Sequence, residues 1–151
     1  MKILVCGLPS AGKTYLAERL KEKLSCAWFN ADDIRGMSND WDFSAQARIR
    51  QARRMRNIAD FESVYNIVIC DFVCPTKETR AIFAPKAIIW LDTVIQSKYD
   101  DTNQLFETPE KEEADYFYKI DAKYTAKQIS AFANKLKSEL NLDKWRSMIG
   151  L

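Results

Sequence analysis

Residues 7–14 read GLPSAGKT and match the pattern G-x-x-x-x-G-K-[ST] of a loop that binds nucleotide phosphates. The two glycines let backbone N–H groups turn inward around an anion. The lysine is predicted to reach the β and γ phosphates, and the threonine hydroxyl to bind Mg²⁺. The segment therefore predicts an ATP·Mg²⁺ site formed by Gly7, Leu8, Pro9, Ser10, Ala11, Gly12, Lys13 and Thr14.

Carboxylates follow two apolar runs that read as strands. Asp32 and Asp33 come after CAWFNA, and Asp71 comes at the end of YNIVICD. Asp32 could orient or deprotonate an acceptor hydroxyl, or hold Mg²⁺ through water, whereas helix capping explains Asp33. Only one of the two is expected to face the site, because neighbours on an extended chain point to opposite sides. Asp71 takes the position of a Walker B carboxylate that holds Mg²⁺, or it caps the turn before Pro75.

An arginine-rich segment, SAQARIRQARRMRNIADFES, is predicted to form a long helix with Ser44 as its N-cap. At about 100° per residue, Arg50, Arg53 and Arg54 fall opposite the apolar arc and form a solvated face. Arg48 and Gln51 fall inside or beside that arc. A buried arginine needs an anionic partner, which is either a structural carboxylate or a bound substrate. The helix geometry leaves both open.

The elements that position these residues alternate between strand and helix. The strands are continuously apolar runs, which is typical of a parallel sheet covered on both faces. We predict an α/β fold of the P-loop NTPase and kinase type, with a five-stranded, mostly parallel sheet and helices on both faces. Residues 1–151 form a single domain, and residues 93–115, which carry no clear period, are predicted to form a mobile lid-like loop.

Composition narrows the class of protein. The net charge of +2 gives little support for a nucleic-acid partner, which stays an alternative, and no apolar run is long enough for a membrane span. The four cysteines lack a CxxC pair, and with no histidine in the chain they predict reduced core thiols rather than a metal site. We expect a cytoplasmic protein; the sequence leaves its oligomeric state open, a homodimer included.

The chain resembles the adenylylsulfate kinase family, which phosphorylates the 3′-hydroxyl of adenosine 5′-phosphosulfate (APS) with ATP. NADDIR is similar to the family's D-G-D-N-[IV]-R, and FSAQARIRQARR to its F-S-x-x-D-R-x-E-N-I-R-R. FVCPTKETR resembles F-I-S-P-x-x-x-x-R, with Cys74 in place of serine, and FETPE resembles Y-E-P-P-E. The resemblance favours substrate over salt bridge for Arg48. It implies Lys13 and Asp32 as catalytic residues, Thr14 and Asp71 as metal ligands, and a substrate site formed by Asp32, Arg35, Phe43, Arg48, Gln51, Val73, Lys98 and Phe106.

One segment departs from the family. Where the family carries a basic lid, LDTVIQSKYDDTNQLF is shorter and acidic, and Lys98 alone remains to meet the transferring phosphate or the substrate. Three functions are therefore compared. The first is an APS kinase, the second a kinase of another hydroxyl acceptor such as a nucleoside, a sugar or a hydroxymethylated base in DNA, and the third a nucleotide-binding regulator without catalysis.

Overall fold

A five-stranded sheet forms the centre of the protein, for which a computed structural model describes residues 1–150. Its spatial order is β2-β3-β1-β4-β5, and every pairing within it is parallel. The predicted α/β class and strand number are confirmed. The strands are β1 Lys2–Cys6, β2 Ala27–Asn30, β3 Val68–Asp71, β4 Ala87–Leu91 and β5 Tyr116–Ile120.

Helices connect the strands and cover both faces of the sheet. They are α1 Lys13–Leu24, α2 Ala31–Ser38, α3 Ala45–Ser63, α4 Lys77–Phe83, α5 Asp100–Leu105, α6 Ala126–Glu139 and α7 Leu142–Met148. A short 3₁₀ helix, Lys111–Glu113, precedes β5. The predicted N-cap of α3 is confirmed, since the Ser44 side chain accepts a hydrogen bond from the backbone N–H of Ala47. Leu151, the last residue of the C-terminal segment, lies outside the described residues.

Successive residues of a strand pack into two separate hydrophobic cores, one on each face of the sheet. In β1, Ile3 and Val5 pack with α1, α6 and α7, whereas Leu4 and Cys6 pack with α3 and α4 on the other face. Side chains of a strand point alternately to its two faces, so each buried strand must be apolar throughout. All four cysteines are free and buried, as predicted for core thiols.

Two local predictions were wrong. Residues 93–115 are not a loop throughout, because they contain α5 and the 3₁₀ helix, each too short to produce a helical period in the sequence. The mobility of this segment stays a prediction. Asp32 and Asp33 do not follow β2 on an extended chain, since both lie in the first turn of α2. Its N-cap is Asn30, whose side chain accepts from the N–H of Asp33, so Asp33 is a first-turn acid and not the cap.

The strand order places the chemistry at one edge of the sheet. The loop 7–14 leaves the carboxyl end of β1, and its neighbour β3 ends at Asp71. On the far side of β3, Asn30 is in register with Asp71. Carboxyl ends of parallel strands meet at the edge where α/β folds bind their ligands. None of the helices within residues 1–150 has the length and apolar character that a membrane span requires.

Candidate functional site

The phosphate loop is held in shape by its glycines. A Cβ on Gly7 would lie 2.7 Å from the carbonyl oxygen of Leu91, so the close approach of β1 to the end of β4 requires glycine. Gly12 caps α1 with φ +97°, a left-handed conformation that side chains disfavour. Thr93 fastens the loop from outside, donating a hydrogen bond of 2.7 Å to the carbonyl of Ala11. The loop is therefore held at the N-terminus of α1, where backbone N–H groups are suited to an anion.

Lys13 extends along this loop. Its ammonium donates to the carbonyl oxygen of Leu8 at 2.9 Å. Burial lowers the pKa of Lys13, while the charges of Asp71, Cys6 and Asp32 oppose that shift. A phosphate oxygen would stabilise this partly desolvated ammonium more than the carbonyl does, because the phosphate carries a negative charge and the carbonyl is neutral.

The buried Asp71 is the centre of a hydrogen-bonded group that we call the Asp71 cluster: Thr14, Trp28, Asn30 and Asp71. The hydroxyl of Thr14 donates to Asp71 Oδ2 at 3.0 Å, and the indole N–H of Trp28 donates to Oδ1 at 2.6 Å. The amide of Asn30 reaches Oδ2 at 3.1 Å and the Thr14 hydroxyl at 3.2 Å. The prediction that Asp71 caps a turn finds no support, since its side chain points to α1.

The donor chemistry of this cluster suits Mg²⁺. A threonine hydroxyl and a carboxylate stand 3.0 Å apart at the first turn of α1, and hard oxygen ligands of this kind, few in number, are what Mg²⁺ takes beside nucleotide phosphates. Burial raises the pKa of Asp71, against the three hydrogen bonds and the charge of Lys13. A cation bound beside a buried carboxylate stabilises its ionised form.

A second group of predicted site residues consists of two guanidinium groups beside one aromatic ring. The guanidinium carbon of Arg35 lies 4.4 Å from the ring centroid of Phe43, and that of Arg48 lies 5.7 Å from it. Both arginines are buried, whereas Phe43 is 44% exposed. The predicted trio thus forms one cluster, in which two buried cations lie beside a partly exposed aromatic ring.

Neither of these arginines is closely paired with a carboxylate. Arg35 donates to the backbone carbonyls of Asp40 and Asp42, and Arg48 donates to the Phe43 carbonyl and to the Thr102 hydroxyl at 2.6 Å. The nearest carboxylate to Arg48 is Asp101, at 4.0 Å and 71% exposed. Burial lowers the pKa of both arginines, so an anion entering the cluster would be stabilised by charges that little else neutralises.

Asp32 lies exposed in the first turn of α2. Its charge acts on both Lys13 and Arg35, where it opposes the lowering of their pKa by burial. The predicted role of Asp32 toward an acceptor hydroxyl stays a prediction.

The other predicted substrate residues differ in their surroundings. Gln51 is buried with both ends of its amide occupied, because it donates to the Ala31 carbonyl and accepts from Arg54. Val73 and Phe106 lie on neighbouring segments that are joined by the Glu107 N–H and the Pro75 carbonyl. Lys98 is exposed beside the Tyr99 ring, and no hydrogen bond within residues 1–150 connects it with Arg35, Phe43 or Arg48. Their roles stay predictions.

The basic face of α3 is partly neutralised. Arg50 and Arg54 both bind the carboxylate of Asp40, at 2.8 Å and 3.0 Å, and they hold its pKa well below the usual range. These ion pairs fasten the segment between α2 and α3, which carries Phe43. The arginines of this face are therefore partly structural, which weakens the case for a nucleic-acid contact here.

Beside the phosphate loop lies a cavity of about 210 Å³ lined by Gly12, Tyr15, Lys123 and Tyr124, together with apolar residues. Its walls come from the start of α1 and from the segment between β5 and α6. Aromatic rings and aliphatic stems next to a phosphate site form a surface on which a purine base can stack.

Sequence reasoning missed several residues of the site. Trp28 and Asn30 are two positions apart on a strand, so they point to the same face, but only the pairing with β3 reveals that this face contains Asp71. Thr102 could not be found either, since its contact with Arg48 spans 54 positions and depends on the unforeseen α5.

The strand order, the phosphate loop and the hydroxyl–carboxylate pair define a P-loop kinase fold. A family model described as adenylylsulphate kinase matches residues 1–133, and the chain belongs to that family. Within this class the chain is a small-molecule kinase. No curated protein sequence matches it significantly.

Solved structures of the same fold are similar over nearly the whole chain. The APS kinase CysC of Mycobacterium tuberculosis, in complex with AMPPNP and APS, matches with a TM-score of 0.73 at 18% identity, covering 93% of this chain and 96% of that one. An unliganded sugar kinase from Janibacter sp. HTCC2649 gives 0.69 at 14% identity, covering 93% and 94%. Shikimate kinase from Aquifex aeolicus gives 0.63 at 15% identity, covering 93% and 98%. These likenesses concern the fold.

Proposed function

We propose that this protein transfers the γ-phosphoryl group of ATP to the 3′-hydroxyl of APS or of a closely similar anionic nucleotide. The observation that carries the proposal is the cluster of Arg35, Phe43 and Arg48. Buried cations without a close carboxylate, beside an exposed aromatic ring, suit a ligand that has both an anionic group and a base. A water nucleophile would need no such site.

In this proposal the phosphate loop holds the ATP phosphates, and the base of ATP stacks in the cavity near Tyr15 and Tyr124. Thr14 and Asp71 would hold Mg²⁺, which when bound neutralises charge on the phosphates. Lys13 leaves the Leu8 carbonyl and stabilises the charge of the transferred group. Asp32 orients the acceptor hydroxyl and takes its proton as the oxygen attacks the γ-phosphorus in line. Positioning and charge neutralisation then supply most of the catalysis.

Binding measurements with the full chain test the acceptor. Isothermal titration of the protein saturated with Mg²⁺·ADP should show tight binding of APS and weak binding of a neutral nucleoside. Arg48→Ala should weaken APS binding by about tenfold or more, since a charge-assisted hydrogen bond is lost. Arg53→Ala is the matched control, because Arg53 lies exposed on the same helix and should leave APS binding unchanged. Equal binding of APS and the neutral nucleoside would refute the anionic acceptor.

A different hydroxyl acceptor is the second candidate, and one specific observation favours it. The amide of Gln51 already donates to the Ala31 carbonyl and accepts from Arg54. It is therefore poorly placed to bind APS, the role that the family resemblance assigns to it. The segment 93–115, with Asp100 and Asp101 at the start of α5, also adds negative charge. A coupled kinase assay over nucleosides, sugars and hydroxymethylated DNA distinguishes this candidate from APS, and turnover on none of them would favour the non-catalytic regulator.

We infer a cytoplasmic location from the cysteines. All four thiols are buried and unpaired, and burial raises the pKa of Cys6 and of Cys26 to about 12. Thiols of this kind are inert core residues and are typical of a reducing compartment. Localisation of a tagged full chain by microscopy and fractionation tests this.

A further inference from the structure

We propose that Trp28 is a positioning residue for the metal site, which acts by fixing the Asp71 carboxylate in the orientation that serves Mg²⁺·nucleotide. The proposal rests on the proposed function, because it assumes that Thr14 and Asp71 hold the ion. It goes beyond that function by assigning a role to a tryptophan on the edge strand of the sheet, to which no phosphate or acceptor contact is attributed.

The geometry of the cluster carries the proposal. The indole N–H of Trp28 lies 2.6 Å from Asp71 Oδ1, the shortest of the hydrogen bonds that reach this carboxylate. Rotation about the Cβ–Cγ bond of an aspartate changes the direction of both oxygens together. The indole bond to Oδ1 opposes that rotation while Oδ2 lies 3.0 Å from the hydroxyl of Thr14. The amide of Asn30 contacts both oxygens and reinforces the same orientation.

The indole itself has little freedom. Trp28 is half-buried, and its ring packs against the core that contains α1. Its strand is in parallel register with β3, with Trp28 opposite Ile69 and Asn30 opposite Asp71. A rigid donor on a fixed strand holds an acceptor in one place at a smaller entropic cost than a flexible side chain would. The residue that donates to the metal-binding carboxylate is thus itself fixed by the fold.

The test compares nucleotide binding with and without metal. Trp28→Phe keeps the apolar ring and removes the N–H donor. We expect ADP affinity in the presence of EDTA to stay unchanged, while the gain in affinity on adding Mg²⁺ falls by about tenfold, as is usual when a partner of a ligating group is lost. Trp90→Phe is the matched control: Trp90 packs against the core on the other face of the sheet, and its substitution should leave both affinities unchanged.

The outcomes separate this proposal from the one on which it rests. If Asp71→Asn leaves the Mg²⁺-dependent gain intact, the assignment of the metal site fails and the role of Trp28 fails with it. If Asp71→Asn removes the gain while Trp28→Phe keeps it, only the positioning role is refuted. Equal loss of ADP affinity with EDTA and with Mg²⁺ in Trp28→Phe would mean a purely structural role and would also refute it.

If Trp28→Phe does not fold, the proposal can be tested on the native Trp28 side chain by NMR. The indole ¹⁵N–¹H resonance of Trp28 can be assigned by removing the other tryptophans one at a time, Trp41, Trp90 and Trp145. Addition of Mg²⁺ to the ADP complex should move this resonance more than any other indole signal, because the ion draws electron density from the carboxylate that accepts its hydrogen bond. An unmoved Trp28 resonance would overturn the proposal.

Discussion

Burial of the Asp71 side chain disfavours its ionised form in the free protein, and a cation bound beside it would offset that effect. Because burial raises its pKa, the folded protein binds this proton more tightly than the unfolded chain does. The contribution of Asp71 to stability is therefore greatest at low pH and falls as pH rises from the unfolded pKa of about 4 through the raised folded value. The ionised carboxylate that the proposed metal site requires thereby lowers the stability of the protein without metal.

Asp71→Asn should separate the effect of Asp71 on stability from its proposed role in binding metal. We expect the stability of the variant relative to wild type, without nucleotide, to increase as pH rises from about 4, because the variant has no charge to bury at this position. Urea denaturation at several pH values measures the difference. The same variant should lose the Mg²⁺-dependent part of its ADP affinity. A difference in stability that is independent of pH would contradict the explanation.

Arg48 has both a structural and a proposed binding contact, and these can be separated. Thr102→Val removes the hydroxyl that accepts from Arg48 and keeps the guanidinium in place. If Arg48 binds the acceptor, Arg48→Ala should raise the acceptor KM by about tenfold or more, while Thr102→Val should change it much less. Both variants are compared by steady-state kinetics and thermal unfolding. Equal kinetic effects from the two variants would mean that Arg48 acts only through α5.

Lys13 offers a residue-scale test of the phosphate loop. Lys13→Ala should abolish phosphoryl transfer, because the charge beside the β and γ phosphates is lost. Its fold should survive, since the only hydrogen bond of the ammonium within residues 1–150 goes to the carbonyl of Leu8. A transfer assay and a thermal melt of the same preparation check both halves. Retained transfer would refute the site.

At the scale of elements, a buried ion pair fastens the segment before β5. Arg80 of α4 and Glu113 of the 3₁₀ helix lie 2.7 Å apart, with 1% and 7% of their side chains exposed. Arg80 also donates to the carbonyl of Cys74, in the loop that follows β3. One guanidinium therefore joins α4, the lid-like segment and the loop that carries Val73.

Glu113→Gln should be costly, because it leaves the Arg80 charge buried without a counter-charge. We expect a loss of about 3–5 kcal/mol of unfolding free energy, measured by urea denaturation. The control is Asp115→Asn, which breaks an ion pair with Lys86 whose side chains are 46% and 66% exposed. Exposed pairs contribute little, so this variant should unfold like wild type. Similar losses in the two variants would contradict the assignment of Arg80 as an element-joining residue.

The elements differ in how well they could be predicted from the sequence. Long periodic segments such as α3, with the Ser44 cap, could be predicted because their pattern repeats over several turns. The phosphate loop could be predicted because its spacing is local. The 93–115 segment could not, since α5 has six residues and its order depends on contacts such as the one between Thr102 and Arg48. Trp28 could not be placed near Asp71 without knowing that β2 pairs with β3.

On the scale of the whole molecule, the small net charge gives little attraction for a polyanion. The net charge is +2, and two arginines of α3 share the carboxylate of Asp40. Binding to single- or double-stranded DNA should therefore be weak at 50 mM salt, with little change on raising the salt to 200 mM. Fluorescence anisotropy with labelled oligonucleotides measures this. A steep loss of tight binding with salt would revive the nucleic-acid alternative.

The all-parallel sheet has a consequence for how the protein reaches its native state. No strand pair here can form as a hairpin, and the neighbours β1 and β3 are separated in sequence by α1, β2, α2 and α3. The hydrogen bond between Thr14 and Asp71 spans 57 positions, so chain collapse must close that distance before the site exists. During refolding, affinity for nucleotide should thus develop after helical signal does. Excess Mg²⁺·ADP would then slow unfolding more than it speeds folding.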